Sequence, residues 1–190
     1  MHVLWLALLL LQANPLVLEN EFMKVYQNTA PCAAAGPSCG DRIVVALGAI
    51  ELGGQKLSRG EFKVFKAGAK YAAPTGGEYV EVTMKPDRPR GKSPKEYLPS
   101  QQNRVAYDGE RFFVVLEDFP AGELHRRHSH FPRLLIPLNA ARNQMQMDGK
   151  PDIFMDLIPD HIGFFPEADI HTVKNVGNSS IKNIMIELKP

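Results

Sequence analysis

Two short stretches constrain this chain more than anything else in it. The first, Gly122 to His130, reads G-E-L-H-R-R-H-S-H. The second, Pro166 to Asn175, reads P-E-A-D-I-H-T-V-K-N and carries His171. On a β-strand, alternate side chains share a face. His128 and His130 therefore project together, and a strand further along can bring His171 beside them in an antiparallel sandwich or barrel. Three neutral imidazoles converging inside a barrel make a site for a divalent transition metal.

Composition supports a β fold and narrows the partners. The 190 residues carry a formal net charge of +1 and are 44% hydrophobic, which describes an ordinary soluble globule with enough chain for one or two small domains. There is no basic excess, so nucleic acid is not an expected partner. Fifteen Pro and fifteen Gly come in short bursts that suit many turns, hence an all-β chain. Strands are expected at 22–26, 42–50, 61–66, 78–84, 111–117, 133–138, 143–147, 152–158, 161–165 and 181–188, with a short one at 104–107. Asp148-Gly149 lies between alternating apolar runs and predicts a hairpin turn. No segment sustains helical periodicity.

Residues 1–13 stand apart. Val3 to Leu11 is an unbroken apolar run followed by Gln12 and Ala13. It is short for a bilayer span and fits the core of a secretory signal. A buried N-terminal strand is the other reading. A signal implies a secreted or periplasmic protein with no membrane segment in its mature form. Cys32 and Cys39 flank a loop of small residues. They can close a disulfide in an oxidising compartment or stay free in a reducing one. With no companion ligands nearby, they do not suggest a zinc site.

The arrangement G-x5-H-x-H followed by P-x4-H-x3-N resembles the two motifs of the cupin superfamily. That resemblance implies a small antiparallel jelly-roll barrel. It also implies one metal held by the two histidines of the first motif, a glutamate further along, and the histidine of the second. His128, His130 and His171 match three of these ligands. The glutamate's place falls on Leu134 and Leu135, and the following glycine's on Ala141 or Arg142. The second motif's glycines are Asp160 and Ala168. Three-histidine sites are known among cupin-type iron oxygenases acting on thiols, and they leave coordination positions open for water, substrate or dioxygen. Iron, manganese, nickel, copper and zinc all accept imidazole, so the metal is left open.

Residues 19–86 and 108–190 read as two copies of one unit. Arg42 to Ala49 (R-I-V-V-A-L-G-A) corresponds to Arg133 to Ala140 (R-L-L-I-P-L-N-A), and Y-V-E-V-T-M-K-P ending at Pro86 corresponds to N-I-M-I-E-L-K-P ending at Pro190. Leu57 starts a third matching segment, answered from Leu157. Phe22 and Val25 are paired with Phe112 and Val115. In the first copy Pro37 and Cys39 stand for His128 and His130, Tyr71 for His171 and Thr75 for Asn175. The first half thus reads as a degenerate cupin without metal ligands, the second keeps them, and the whole resembles a compact bicupin. Residues 87–107 form a connector in which Pro89, Pro94 and Pro99 exclude a regular ladder or helix.

Other residues near the motifs carry alternatives. His125 lies three before His128 and faces the other side unless a bulge intervenes; a solvent-facing loop position is expected. Asp169 shares a face with His171, as a carboxylate ligand or a partner of that histidine. Arg126, Arg127 and Arg133 either hold an anionic group or form a solvated face, and the counterpart Arg42 suggests a structural salt bridge for both Arg133 and Arg42. Proline within 134–138 suggests an edge strand or bulge. Asn175 is expected to buttress a turn. The functional expectation is a cupin binding one divalent metal through three histidines, with a small-molecule ligand and an oxygenase-like activity. The alternative is a non-catalytic ligand-binding or structural bicupin with a vestigial site. Enzyme activity stays open, as does pairing of the halves within a monomer or across a homodimer.

Overall fold

The computed structural model describes residues 15–33, 39–90 and 102–190. The segment read as a secretory signal lies outside the described residues, as does most of the Pro-rich connector. Strands account for all regular structure among the described residues. In the first half these are β1 (Leu16–Glu19), β2 (Met23–Gln27), β3 (Arg42–Ala46), β4 (Ile50–Leu52), β5 (Gln55–Leu57), β6 (Phe62–Phe65), β7 (Thr75–Gly76) and β8 (Tyr79–Met84). The second half contains β9 (Asn103–Asp108), β10 (Phe112–Phe119), β11 (Leu124–His130), β12 (Arg133–Pro137), β13 (Ala141–Gln146), β14 (Ile153–Leu157), β15 (Gly163–Phe165), β16 (Asp169–Asn175) and β17 (Ile181–Leu188). The end of the stretch read as connector is therefore β9. The run expected as one strand over 42–50 is broken into β3 and β4.

The two halves are antiparallel jelly-roll barrels in tandem, and their large sheets have the same order. One reads β1-β2-β8-β3-β6, the other β9-β10-β17-β12-β15. Smaller sheets, β5-β4-β7 and β14-β13-β16-β11, complete the barrels. Register fixes the correspondence. Arg42 faces Thr83 as Arg133 faces Glu187, and Met23 faces Met84 as Phe112 faces Leu188. Met23 and Val25 thus answer Phe112 and Val114. The sequence pairing of Phe22 and Val25 with Phe112 and Val115 was off by a residue in this strand, because Phe22 belongs to the turn before β2.

The large sheets pack face to face. Met23, Val25, Ile43, Val45, Val80 and Val82 meet Phe112, Val114, Leu134, Ile136, Ile184 and Ile186 in one buried cluster. The alternate residues point the other way, into the barrels. Val44, Ala46 and Tyr79 join Ile50, Leu52 and Leu57 in the first; Phe119 and Ile181 join Met145, Leu157 and Val173 in the second. Both faces of these sheets are covered, which is why their strands read as nearly continuous apolar runs. β12 is an interior strand rather than the edge that Pro137 suggested. Pro137 is its last residue, past the part paired with β15.

Arg59 ties the halves together at one rim. Its Nε donates to Leu138 O at 2.8 Å, its Nη2 to Asp160 Oδ1 at 2.7 Å, and its Nη1 to Leu47 O. Asp160 holds φ 62°, close to the 85° of its counterpart Gly60. The left-handed turn persists without its glycine because aspartate tolerates that region better than most residues. Asp148-Gly149 forms the expected turn between β13 and β14, with Gly149 at φ 70°.

Ile184 is fully buried at the centre of the shared core. Ile184→Ala should lower unfolding free energy by about 2–5 kcal/mol, read by urea denaturation. Both halves should still unfold in one transition, since each supplies part of the same core.

Candidate metal centre

The site is built on two paired strands, β11 and β16. Their register places His125 opposite Val173 and His128 opposite His171, so three steps along β11 match two along β16. This β-bulge at Arg126–Arg127 absorbs one residue. Both arginines are exposed, and Arg127 pairs with Asp148 at 2.7 Å on the outside. Because of the bulge, His125 turns inward together with His128 and His130. The expectation of a solvent-facing His125 is overturned: it is fully buried and stacks on Phe119 with ring centroids 3.8 Å apart.

His128, His130 and His171 meet inside the second barrel, each at most 3% exposed. Their candidate donor atoms all lie within 4.8 Å of one another. The rings stand edge to face or tilted, with centroids 4.7–5.1 Å apart. Among the described residues this is the one such cluster of three or more potential ligands.

The outer nitrogens are held by other groups. His128 Nδ1 lies 2.6 Å from the Arg126 carbonyl, which can only accept, so the proton sits on Nδ1 and the Nε2 lone pair is free. His130 Nδ1 lies 2.6 Å from Glu187 Oε1. Burial raises Glu187 to about 7, which brings this carboxyl into the physiological range. His171 Nδ1 approaches Asp169 Oδ1 at 3.4 Å, a long electrostatic contact. Asp169 also takes both terminal nitrogens of Arg133, at 3.1 and 3.2 Å. It is therefore a partner of His171, with its carboxylate committed to Arg133.

Burial decides the charge state of the histidines. It lowers His128 to about 4 and His130 well below its usual range. Both are neutral at physiological pH, as metal ligation requires. Burial lowers His125 to about 4 as well. Burial alone would raise Asp169, but the approach of His171 and the Arg133 charge outweigh it and hold this carboxyl at about 2.

The cluster fits a cation on its own geometry. His128 Nε2 and His130 Nε2 face each other 3.0 Å apart in a buried space. With the His128 proton on Nδ1, that nitrogen presents a bare lone pair to its neighbour. That lone pair accepts a hydrogen bond when the His130 proton lies on Nε2, and a cation between the nitrogens would take that proton's place. Beside them is a cavity of about 40 Å³ bordered by His130, His171, Glu117, Met145, Met155 and Met185. It has room for water or a diatomic molecule.

Two carboxylates of this barrel escaped sequence reasoning. Glu187 is the proton partner of His130. Glu117 accepts from Asn183 Nδ2 at 2.5 Å and lies 3.5 Å from His125 Nδ1; burial raises its pKa. Each is an acidic residue at an inward-facing position of a strand that is otherwise mostly apolar, F-F-V-V-L-E-D-F and I-K-N-I-M-I-E-L. That parity was a readable signal. Asn175 does buttress a turn, donating to Ser179 O and accepting from Gly177 N.

The first barrel has none of this set. Tyr71, which stands for His171, donates its hydroxyl to buried Glu81 and stacks on Phe65 at 4.1 Å. Cys39, standing for His130, is bonded to Cys32. Among the described residues Arg42 has no salt bridge like that of Arg133. It donates to the carbonyls of Cys39, Gly40, Lys66 and Ala69. The reason is local: Ala69 holds the place of Asp169 and offers only its backbone.

No family model matches the chain, and no curated protein matches it. Solved structures do. AerE from Microcystis aeruginosa is 16% identical with a TM-score of 0.52, over 88% of this chain and 87% of that one. A cupin 2 conserved barrel domain protein from Leptotrichia buccalis is 16% identical with a TM-score of 0.50, over 92% and 87%. The chain has the cupin fold. Within this fold, the two positions where the resemblance placed a glutamate are apolar. Leu134 is buried in the core between the barrels, and Leu135 borders the small cavity.

Asp169→Asn should cost about 2 kcal/mol at pH 7, from a carboxyl held at about 2 against an ordinary 3.8. The folded pKa is depressed, so this stabilisation is present above about 3.9 and is lost as pH falls through about 2. Denaturation at pH 7 and again near pH 2 should show the gap between variant and parent closing.

Proposed function

We propose that this cupin binds one divalent transition ion through Nε2 of His128, His130 and His171. The observation that carries the proposal is the convergence of three buried histidines whose candidate donor atoms all lie within 4.8 Å of one another. Three neutral ligands with no carboxylate suit iron, manganese, nickel, copper or zinc. A bound ion would supply Lewis-acid or redox chemistry to a small ligand at an open coordination position.

The chain's own residues prepare that site. The Arg126 carbonyl and Glu187 orient two rings and keep their Nε2 atoms inward. Asp169 faces the third and balances the Arg133 charge. Burial excludes bulk water. The narrow cavity favours a ligand the size of water or dioxygen, in keeping with an oxygenase-like activity. The same enclosure favours a second reading, a non-catalytic ion that fastens β11 to β16. An exported location, secreted or periplasmic, goes with the proposal and is supported by the Cys32–Cys39 disulfide.

Protein purified without an affinity metal column should contain about one transition ion per chain, and a His128→Ala/His171→Ala variant should contain none. Glu187→Gln should weaken metal affinity roughly 10- to 100-fold while leaving the ion bound at saturation. Absence of metal from the parent protein after reconstitution with each of the five ions would overturn the proposal. Solvent-water relaxation with a paramagnetic ion bound separates the two readings: an exchanging water supports catalysis, a closed shell supports the structural ion.

A further inference from the structure

The first barrel carries a cavity beside the place where its own metal site would be. It has a volume of about 640 Å³ and is lined by Lys24 and Tyr26 of β2, Thr83 of β8, the Cys32–Cys39 bridge, Lys85 and Arg111. Among the described residues that line it, three are cations and none is a carboxylate. A cavity of this size suits a small organic molecule.

The second barrel shows what was changed. By register, Lys24 answers Phe113, Tyr26 answers Val115 and Thr83 answers Glu187. In the second barrel, Phe113 stacks on Phe131 with centroids 6.2 Å apart, and Lys189 Nζ lies 4.0 Å from the Phe113 ring centre. Rings fill the space there. In the first barrel, lysine replaces the phenylalanine and a hydroxyl replaces the carboxylate, while Glu81 stands where Met185 does.

The cations are positioned and only partly neutralised. Among the described residues, Arg111 donates through Nη2, to the carbonyls of Lys85, Pro86 and Asp87 at 2.6, 3.2 and 2.8 Å. One corner of the guanidinium is thereby anchored. Glu19 pairs with Lys85 at 2.7 Å and Lys24 at 3.4 Å, but it is 40% exposed and serves two lysines. Of the other nearby carboxylates, Glu81 accepts from Tyr71, Thr83 and the Cys32 amide, Asp41 pairs with Lys66 and Glu110 with Arg88.

We propose that this cavity binds a small organic anion with clustered carboxylate or phosphate oxygens, recognised by Lys24, Lys85 and Arg111 against the wall of Tyr26. Charge-assisted bonds to three cations supply affinity, and Arg111 supplies a fixed planar donor. The site is independent of the metal proposed for the second barrel. The chain would then bind two different ligands in two barrels of common design.

The test is calorimetric titration of the full chain with citrate, and separately with inorganic pyrophosphate, at low salt. Saturable binding of either is expected, weakened at least tenfold by Lys24→Glu and falling as salt rises. Lys24→Gln should give a smaller loss, and both variants should keep the parent's melting temperature and metal content. Citrate also chelates metals, so the His128→Ala/His171→Ala variant is titrated in parallel. Binding that survives there and fails in Lys24→Glu supports the cavity. Binding lost in the histidine variant and kept in Lys24→Glu belongs to the metal and overturns the proposal. No binding of either probe at millimolar concentration also overturns it.

Discussion

The packing of one five-stranded sheet against the other governs this molecule. Each large sheet gives one face to its neighbour and keeps the other for its own barrel. Strands so covered cannot place a polar residue cheaply on either side. A polar side chain on the shared face would lie in an apolar slab with nothing to bond. Polar groups are therefore confined to the barrel interiors, where opposing strands bring partners within reach. Arg42, Glu81, Glu117, Arg133, Asn183 and Glu187 are all buried and all point away from the shared core.

The two interiors use this polar allowance differently. In the second barrel, Glu187 and Asp169 face the outer nitrogens of histidines whose inner nitrogens converge. In the first, Tyr71, Glu81 and the Cys32 backbone amide satisfy one another. The disulfide and its neighbouring turn occupy the place taken by β11 in the second barrel. One arrangement leaves donor lone pairs facing a small space. The other is closed upon itself and turns its positive side chains towards an adjoining cavity. Arg133 and Arg42 show how little is needed to shift between them: an aspartate against an alanine one hundred residues earlier changes a salt bridge into a set of carbonyl bonds.

The bulge at Arg126–Arg127 has the largest local consequence. Without the extra residue, the spacing of His125 and His128 would put one of them outside. With it, the inner side of β11 carries three imidazoles and the outer side two arginines. Burial then keeps these histidines neutral at the pH where a metal would need them so.

What the sequence determined by itself was whatever repeats along the chain with a short period. Strand alternation was enough to put His128 and His130 on one face, to mark the apolar runs as strands, and to place the turn at Asp148-Gly149. The ordered matches from Arg42 and Arg133 onwards foreshadowed two large sheets of identical strand order. What the tertiary structure alone decided was whatever depends on register between distant strands. The inward turn of His125, the approach of Glu187 to His130 and of Glu117 to His125, and the one-residue shift between β2 and β10 all belong here. A strand's own residues state which side chains share a face. They do not state which residue of another strand will lie opposite, and hydrogen bonds reach only about 3 Å. That difference in range separates the histidine cluster and its neighbours Asp169 and Arg133, legible in the chain, from the pairing of Glu187 with His130 and of Glu117 with His125, which only the assembled sheets decided.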